Sequence, residues 1–174
     1  MDFVTSDIIN HPPDVVLAAF RDRLPEVAAL IPDIKSITVI SREEVGNTTK
    51  LHNLWEANRE IPKALSKFLS PDMLKWDDYA EYFPGESRCT WRIELPAFSG
   101  AVDCFGSNHY KDLGDGRTEL EMTGSLSLDL SKVPKIPRLL KRTLGPQVEK
   151  FVVALIQPNL SRTNQAVARL LASG

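Results

Sequence analysis

The stretch Val102–Leu130, VDCFGSNHYKDLGDGRTELEMTGSLSLDL, carries the clearest structural pattern in this chain of 174 residues. Two runs with a period of two, Val102–Asp112 and Arg117–Leu130, flank the dipeptide Asp115-Gly116. Such a dipeptide supplies the positive φ angles of a tight hairpin turn. The stretch therefore predicts two neighbouring antiparallel strands near the end of the chain.

Further strands precede this hairpin, and turn residues separate them. Gly46-Asn47 and Pro84-Gly85 mark two turns, and Pro96–Gly100 marks a longer one. The first strand ends abruptly at Pro12, because proline cannot extend a ladder. The strands predicted upstream of the hairpin are Asp2–Ile9, Ile37–Glu44, Thr48–Asn58, Leu74–Phe83 and Ser87–Leu95.

Helical spacing appears near both ends of the chain. Pro13-Asp14 opens a helix whose apolar face is Val16, Leu17, Phe20 and Leu24, and Pro25 and Pro32 break the region into two short pieces. A broad apolar stripe predicts a last helix over Pro146–Leu171, which Pro158 should kink. Two interruptions complete the order: a short helical insert over Ile61–Leu69 and a long connection over Ser131–Gly145.

This order of elements, together with the passage Asn10-His11-Pro12-Pro13-Asp14-Val15-Val16, resembles the START-like or birch-pollen-allergen (SRPBCC) superfamily. The resemblance covers nearly the whole chain and implies the α+β helix-grip fold, in which about seven curved antiparallel strands clasp a long C-terminal helix. The insert after the third strand is similar to the PRELI-like phospholipid transfer proteins and to polyketide cyclase-type lipid carriers. No individual family residue is matched, so no site residue follows from the resemblance.

Composition limits the classes of function. A chain of this length predicts one domain, 1–174, large enough to bury about 70% of its unfolded surface. The formal net charge of −2 argues against a nucleic-acid partner. No run approaches the roughly 18 apolar residues of a spanning helix, and the start Met1-Asp2-Phe3 lacks the character of a signal peptide, so we expect a cytoplasmic protein.

The sequence indicates neither a metal site nor a cofactor. It contains no CxxC, no HExxH and no spacing of histidine and carboxylate that is typical of metal ligands. Cys89 and Cys104 lie in strands predicted to be neighbours and would face each other if the hairpin were tight. A reduced, half-buried pair is the expectation, because cytoplasmic proteins rarely keep disulfides.

Catalysis has little support, because His11, His52 and His109 are scattered over a turn and two strands. Strand alternation means that either His109 or the pair Asn108 and Tyr110 faces the sheet's concave side, but not both. An inward His109 could act as a general base. Inward Asn108 and Tyr110 would instead orient a polar group of a ligand.

The apolar phase of the strands predicts which side chains line the cup. In the last strand Leu120, Met122, Leu126, Leu128 and Leu130 share a face, and Cys89, Trp91, Ile93 and Leu95 repeat the pattern. The same residues would pack on the helix if the core were filled, since the two cases look identical in sequence. The predicted cavity residues are Trp55, Trp91, Ile93, Asn108, Tyr110, Leu120, Met122, Leu126, Phe151 and Leu155.

A basic stretch, Lys132–Arg142, carries five cationic residues and no acid in a chain that is slightly negative overall. One hypothesis is that it seats the mouth of the cup on anionic lipid headgroups, with Leu139, Leu140 and Leu144 dipping into the interface. The alternative is a solvated loop whose charges pair with Glu119, Glu121 or other surface acids. The predicted membrane contacts are Lys135, Arg138, Leu139, Leu140, Lys141 and Arg142.

Two functions follow as hypotheses. The favoured one is a non-enzymatic binder or carrier of a lipid or other hydrophobic small molecule, in which burial of apolar area supplies most of the affinity. The second is a polyketide cyclase or aromatase-like enzyme that moves protons with Tyr110, His109 or Asp103. A third possibility is a regulatory interaction domain with a filled core. The sequence leaves the oligomeric state open.

Overall fold

Seven antiparallel strands form one sheet in the computed structural model, which describes residues 1–133 and 137–173. Their order across the sheet is β1-β7-β6-β5-β4-β3-β2, so every consecutive pair from β2 to β7 is a neighbouring pair. The strands are β1 (Asp2–Ile9), β2 (Ile34–Val45), β3 (Thr48–Ala57), β4 (Lys75–Phe83), β5 (Arg88–Glu94), β6 (Val102–Asp112) and β7 (Thr118–Leu128). The helices are α1 (Pro13–Asp22), α2 (Leu24–Ala28) and α3 (Arg138–Ala172).

The predicted fold class and element order are confirmed. The predicted strand bounds agree with the structure to within three residues, and the largest difference at a strand start is that β2 begins at Ile34 rather than Ile37. The first strand, β1, pairs with the last strand, β7, so that Asp2 lies opposite Ser125. β1 and β2 are the two edges of the sheet.

The short helices α1 and α2 lie where the prolines indicated. Pro13 occupies the first turn of α1, and Val16, Leu17 and Phe20 are buried on one face. Leu24 continues the buried face from α2. These helices connect the edge strands β1 and β2, and they pack against α3.

The predicted helical insert over Ile61–Leu69 is wrong as a continuous helix. The segment forms separate turns, with hydrogen bonds from the Leu65 amide to the Pro62 carbonyl at 2.8 Å and from the Leu69 amide to the Leu65 carbonyl at 2.9 Å. Leu65 and Leu69 are buried. Their spacing of four residues matches a helix, but the two side chains are buried from separate turns and not from a regular helix.

The last helix is longer than the sequence predicted. It begins at Arg138, within the segment expected to be a connection, and both Pro146 and Pro158 lie inside it. Pro146 suits a helix start, but a long helix also accommodates an internal proline at the cost of one backbone hydrogen bond. Among the described residues, no helix is both long and apolar enough to span a membrane.

The core lies between the concave face of the sheet and α3. The helix buries Val148, Val152, Leu155, Ile156 and Val167 against the strands. A polar contact fixes its far end, where Asn164 Nδ2 donates a hydrogen bond of 2.9 Å to Asp7 Oδ2 on β1. The helix is therefore held against the sheet by apolar packing along its length and by an amide–carboxylate contact at one edge.

Candidate functional site

An internal cavity of about 60 Å³ lies between the sheet and α3. One water needs about 10–15 Å³ in this measure, and a cavity of about 150 Å³ binds benzene. The space as it stands therefore takes several waters, and a ring would require the lining side chains to move apart. Residues from α1, α2, α3 and strands β3 to β7 line it. All three tryptophans of the chain, Trp55, Trp76 and Trp91, are in the lining.

Strand register explains how these side chains meet. Trp55 on β3 lies opposite Trp76 on β4, and their rings stack with centroids 5.6 Å apart. The inward phase that Trp76 sets on β4 repeats every second residue, so Asp78, Ala80 and Tyr82 also line the cavity. An aromatic wall therefore surrounds a carboxylate on the central strands.

Two glycines make room for the third tryptophan. Trp91 lies opposite Gly106 on β6, and Gly106 lies opposite Gly124 on β7. A Cβ atom on Gly106 would come within 2.4 Å of the Trp91 ring and 2.2 Å of the Thr123 carbonyl oxygen. A Cβ on Gly124 would meet the same ring at 2.9 Å. The Trp91 indole lies over these two glycines, which is possible only because neither has a side chain.

Asp78 is the carboxylic acid of the cavity. Its Oδ2 accepts a hydrogen bond of 3.1 Å from Asn53 Nδ2. Burial raises its pKa to about 6, while the Asn53 amide, the nearby Trp55 indole N–H and the charge of His52 act in the opposite direction. The Trp55 indole nitrogen has no partner within hydrogen-bond geometry. At pH 7 Asp78 is therefore mostly ionised, in a site where ionisation is costly.

The other polar groups of the cavity come from β6 and α3. Asn108 Oδ1 accepts a hydrogen bond of 3.0 Å from the Trp91 indole. Asn159 Nδ2 donates to the Leu155 carbonyl at 2.8 Å, which leaves Asn159 Oδ1 buried without a partner. Thr163 Oγ1 donates to the Asn159 carbonyl at 2.6 Å. The helix thus presents oxygen acceptors to the cavity.

Half of the residues predicted to line a cavity do so. Trp55, Trp91, Ile93, Asn108 and Met122 are in the lining. The others are buried in the core without contributing to the lining: Tyr110, Leu120, Leu126, Phe151 and Leu155. Phe151 instead borders a separate surface groove together with Arg59 and Lys150.

Asp78, Trp76 and the helical pair Asn159 and Thr163 were missed as site residues. The alternation of Trp76, Ala80 and Tyr82 is visible in the sequence and places Asp78 on their face. Asn159 and Thr163 follow Leu155 and Ile156 at helical spacing on the buried side of α3. Both signals are present in the sequence, but a polar residue within an apolar pattern does not by itself indicate a site.

Two of the three proposed acid–base groups, His109 and Asp103, lie on the outer face of the sheet. Asn108 and Tyr110 face inward, so the suggestion of an inward His109 is wrong, and its Nε2 lies 3.5 Å from Ser107 Oγ on the other side of the sheet. Asp103 is also outside, where it pairs with Arg92 at 3.0 Å. Of the three groups proposed to move protons, Tyr110 alone points inward, and it is fully buried.

His52 and His11 are likewise outside the cavity. His52 Nε2 lies 2.7 Å from Asp77 Oδ1, and its ring stacks on Tyr79 with centroids 4.5 Å apart. His11 contributes its backbone carbonyl, which accepts a hydrogen bond of 2.7 Å from Thr118 Oγ1. His52 therefore lies on the outer face of the sheet, and His11 lies in the turn after β1.

The cysteines are free and buried, but they do not face each other. Cys89 lies opposite Asn108, and Cys104 lies opposite Ile93. Burial raises the pKa of Cys104 to about 12 and that of Cys89 well above its ordinary value. Both thiols are therefore protonated near neutral pH, a state in which cysteine is a poor nucleophile.

A cluster of charges joins α3 to the segments beside β2 and β3. Asp33 accepts ion pairs from Arg162 on α3 and from Arg59, the latter at 3.3 Å. Arg59 also donates to the Ala154 carbonyl. Pro158 lacks the N–H that would bond this carbonyl within the helix. Arg59 thus supplies the donor that the proline removes.

The basic stretch is described only in part. Lys135 lies outside the described residues, as does the side chain of Arg138. Leu139 and Leu140 are exposed, at 92% and 41%, at the start of α3. Leu144 packs against the core, so its predicted insertion into a membrane is wrong.

The predicted ion pairs of this stretch are also only partly right. Lys132 pairs with Asp129 at 3.3 Å, and Lys141 donates to the Ser131 carbonyl at 2.6 Å. Glu121 pairs instead with Lys111, and Glu119 accepts a hydrogen bond from Ser6. Lys132 and Lys141 therefore bond to their own connection and not to the acids of β7.

No protein-family model matches the sequence, and no curated protein is significantly similar to it. Solved structures share its architecture. A Thermus thermophilus protein superposes with a TM-score of 0.69 at 19% identity, over 100% of both chains. Zhui aromatase/cyclase from Streptomyces gives 0.63 at 15% identity, over 97% of this chain and 91% of that one. Norcoclaurine synthase from Thalictrum flavum, in complex with dopamine and hydroxybenzaldehyde, gives 0.60 at 13% identity, over 99% and 87%.

These structures share a curved antiparallel sheet wrapped around a long C-terminal helix, and their sequence identities to this chain are low. The likeness therefore shows the fold. The chain has the helix-grip fold, as the order of its elements predicted.

Proposed function

We propose that this protein binds a compact, largely apolar small molecule that contains an aromatic ring, inside the cavity between the sheet and α3. The observation that carries this proposal is the convergence of all three tryptophans on one internal space. Aromatic side chains offer large, rigid surfaces, and offset stacking adds about 0.5–1.5 kcal/mol per ring pair beyond the burial of area. A ring in this space would contact aromatic faces from three adjacent strands.

The size of the cavity favours a compact ligand over a long lipid. A space of about 60 Å³ cannot enclose a long acyl chain unless α3 moves away from the sheet. The core contacts of Val152 and Leu155, both fully buried, oppose such a movement. A single ring, for which a cavity of about 150 Å³ suffices, needs only shifts of the lining side chains. The favoured ligand is therefore a hydrophobic small molecule no larger than one substituted ring, and not a membrane phospholipid.

The polar groups of the cavity support a ligand that is not purely apolar. Asp78, Asn108 and Asn159 are placed among aromatic and aliphatic side chains. A few polar groups in a mainly apolar cavity are typical of small-molecule sites, where they fix orientation. Two of the structures that share the fold, an aromatase/cyclase and a synthase in complex with dopamine and hydroxybenzaldehyde, give a precedent for ring-containing compounds in this architecture.

Catalysis inside the same cavity is a second candidate function, and Asp78 is the observation that favours it. A carboxyl whose pKa burial raises to about 6 exchanges protons readily near neutral pH. An enzyme of the cyclase or aromatase type would use it to move a proton on a bound ring precursor. Loss of turnover with retained binding in Asp78→Asn would favour this function over simple binding.

Contact with an anionic membrane is a proposal about the outside of the protein. The first turns of α3 combine the exposed Leu139 and Leu140 with Lys141 and the exposed Arg142. Exposed leucines beside basic residues are typical of helices that touch a lipid surface. This contact would bring the protein to membranes that contain its ligand.

Native mass spectrometry of the protein purified from its own cells, followed by organic extraction, tests the binding proposal. We expect an added mass of a few hundred daltons or less, at one molecule per chain, and release of a ring-containing compound. Ala80→Leu would fill the cavity, since Ala80 is buried and in the lining. Thr38→Leu, on the exposed part of β2, is the matched control.

Binding in the wild type and in the control, but not in Ala80→Leu, would support the proposal. A bare mass for the wild type that stays unchanged after incubation with cell extract would contradict it and favour an interaction domain with a filled core.

A further inference from the structure

We propose that the ligand of this cavity is an organic cation, a ring bearing a protonated amine, held by Asp78 and by the faces of the surrounding tryptophans. This inference rests on the proposed binding function and specifies its ligand class. It follows from the charge of the cavity, from the orientation of its aromatic rings and from the kind of polar atoms left without partners.

The cavity has a negative group and no positive one. Asp78 is in the lining, and the described lining residues include no lysine, arginine or histidine. Burying a charge without a partner is costly, and an opposite charge removes much of that cost. A cationic ligand would supply the missing charge, whereas an anionic ligand would place two negative charges in one small apolar space.

The neighbouring titratable groups do not neutralise Asp78. Tyr82 and Cys89 line the cavity with it, and burial raises the pKa of each well above its ordinary value, so both are neutral at pH 7, as is the buried Tyr110 outside the lining. Cys104 is neutral for the same reason. His52 acts on Asp78 only from the outer face, where it contacts Asp77. No described group inside the core therefore takes the role of the counter-ion.

The tryptophans add a second attraction for a cation. The Trp55 and Trp76 rings stack at 19° to each other, and Trp91 lies on the next strand over Gly106. The faces of indole rings are negative, and among aromatic side chains tryptophan attracts cations most strongly. The cation–π contact found among the described residues joins Arg88 to Phe83, and neither residue is in the lining.

The oxygen atoms of the cavity suit a ligand that donates hydrogen bonds, although the Trp55 indole N–H in the lining is a donor without a partner. The hydrogen bond from Asn53 engages one carboxylate oxygen of Asp78, Oδ2. Asn159 Oδ1 is buried without a donor, and Thr163 Oγ1 has used its proton on the Asn159 carbonyl. An ammonium group has three donors and no acceptor, which matches this set of oxygens. A neutral alcohol would satisfy fewer of them and would leave the charge of Asp78 uncompensated.

Three probes of similar shape test the charge preference: 2-phenylethylamine, 2-phenylethanol and phenylacetate. Their dissociation constants would be measured by the change in tryptophan fluorescence, because all three tryptophans are in the lining. We expect the amine to bind roughly 10- to 100-fold more tightly than the alcohol, since hydrogen bonds to charged groups are the stronger ones. Phenylacetate should bind most weakly.

Asp78→Asn removes the charge with little change in shape. We expect this variant to lose the preference for the amine over 2-phenylethanol. Asp77→Asn is the matched control, because Asp77 is the next residue on β4 and faces outward to His52. It should keep the full preference for the amine.

The pH dependence gives an independent readout. A primary amine stays protonated below about pH 9, so any change in its affinity between pH 5 and 7.5 reports the protein. Amine affinity should fall roughly tenfold from pH 7.5 to pH 5 as Asp78 takes up a proton, and it should not fall in Asp78→Asn.

The outcomes separate the two proposals. If 2-phenylethanol binds as tightly as the amine in the wild type, or if Asp78→Asn keeps the amine preference, the organic-cation inference is overturned while the binding function stands. If none of the three probes changes the fluorescence at millimolar concentration, both the inference and the proposed binding function are contradicted.

Discussion

Asp78 lowers the stability of the folded protein and also gives the cavity its negative charge. It lies on the inward face of β4 among tryptophans, and Asn53 gives it its hydrogen bond. Burial raises its pKa to about 6, above the value of 3.8 expected for an exposed aspartate. The folded state thus binds a proton at Asp78 more tightly than the unfolded state does.

Asp78 should therefore reduce stability as pH rises. Because the folded pKa is the higher one, its destabilising effect is absent below about pH 4, grows between pH 4 and 6, and is complete above pH 6. The shift of about two units corresponds to about 3 kcal/mol at neutral pH. Asp78→Asn should be more stable than the wild type at pH 7.5 by a similar amount, and the difference should vanish near pH 4, as urea unfolding would measure.

Asp77→Asn is the control for this comparison, because its carboxylate contacts His52 on the outer face. The difference between Asp78→Asn and the wild type isolates Asp78 from the other ionisable groups. A difference in the free energy of unfolding that is the same at pH 4 and pH 7.5 would contradict the assignment of Asp78 as the buried carboxyl.

Gly106 is a second residue that the packing of the site requires. A Cβ atom there would overlap both the Trp91 ring and the Thr123 carbonyl. We expect Gly106→Ala to destabilise the protein by about 1–3 kcal/mol, the usual cost of overpacking, and to shift the fluorescence of Trp91. In Gly85→Ala the new methyl group would meet a single atom, Asn47 Nδ2, at 3.9 Å. Equal free energies of unfolding for the two variants would disprove the close packing of Trp91 on β6.

The sequence predicts correctly which side chains face inward where strand alternation determines their direction. The inward direction of Trp91, Asn108 and Met122 follows from the apolar phase of their strands. The phase of β4 would equally have placed Asp78 inside, but a lone acid in an apolar pattern gives no sign of its hydrogen-bond partner. Asn53 becomes that partner through the register of β3 on β4, which the sequence does not state.

At the scale of elements, the two prolines inside α3 explain both a wrong boundary and a contact. Pro146 predicts a helix start, because proline is favoured there, whereas the helix begins at Arg138. Pro158 leaves the Ala154 carbonyl without its helical donor. Arg59, from the connection after β3, donates to that carbonyl. This pairing depends on the folded chain and cannot be derived from local patterns.

A double-mutant cycle tests the link between Pro158 and Arg59. Arg59→Met should cost about 1–3 kcal/mol in the wild type, because it leaves the Ala154 carbonyl and Asp33 with fewer partners. In Pro158→Ala the new amide can bond Ala154, so the cost of Arg59→Met should fall by about 1 kcal/mol. Arg162→Met is the control, since Arg162 contacts Asp33 but not Ala154. Strict additivity of Arg59→Met and Pro158→Ala would exclude the link.

The start of α3 tests the proposed membrane contact. Its first turn carries no acidic residue, although acids are favoured at a helix N-terminus. Charge reversal at Lys141 and Arg142 should therefore leave the helix intact while weakening binding to vesicles that contain phosphatidylserine, by about 1 kcal/mol per original charge. Lys50→Glu with Lys111→Glu, on exposed strand positions, is the control of equal charge. Unchanged vesicle binding relative to the wild type would remove the membrane contact.

In the whole molecule, the sheet and α3 border a small space that is lined by three tryptophans and one carboxylate. Element order was enough to predict the helix-grip fold, because hairpin turns and a final apolar helix leave few arrangements. It was not enough to predict the cavity. Buried residues such as Tyr110, Leu120 and Leu155 belong to the same apolar faces as the lining residues, and packing in three dimensions decides which of them leave a gap.

The proposed ring-containing ligand binds in this gap, and the indole N–H signals of the three tryptophans report on it directly. Titration of ¹⁵N-labelled protein with 2-phenylethanol, followed by NMR, should shift the signals of Trp55, Trp76 and Trp91 together along one saturable curve with one site per chain. Signals that stay in place up to millimolar ligand, or that move without saturation, would contradict a ligand site between the sheet and the helix.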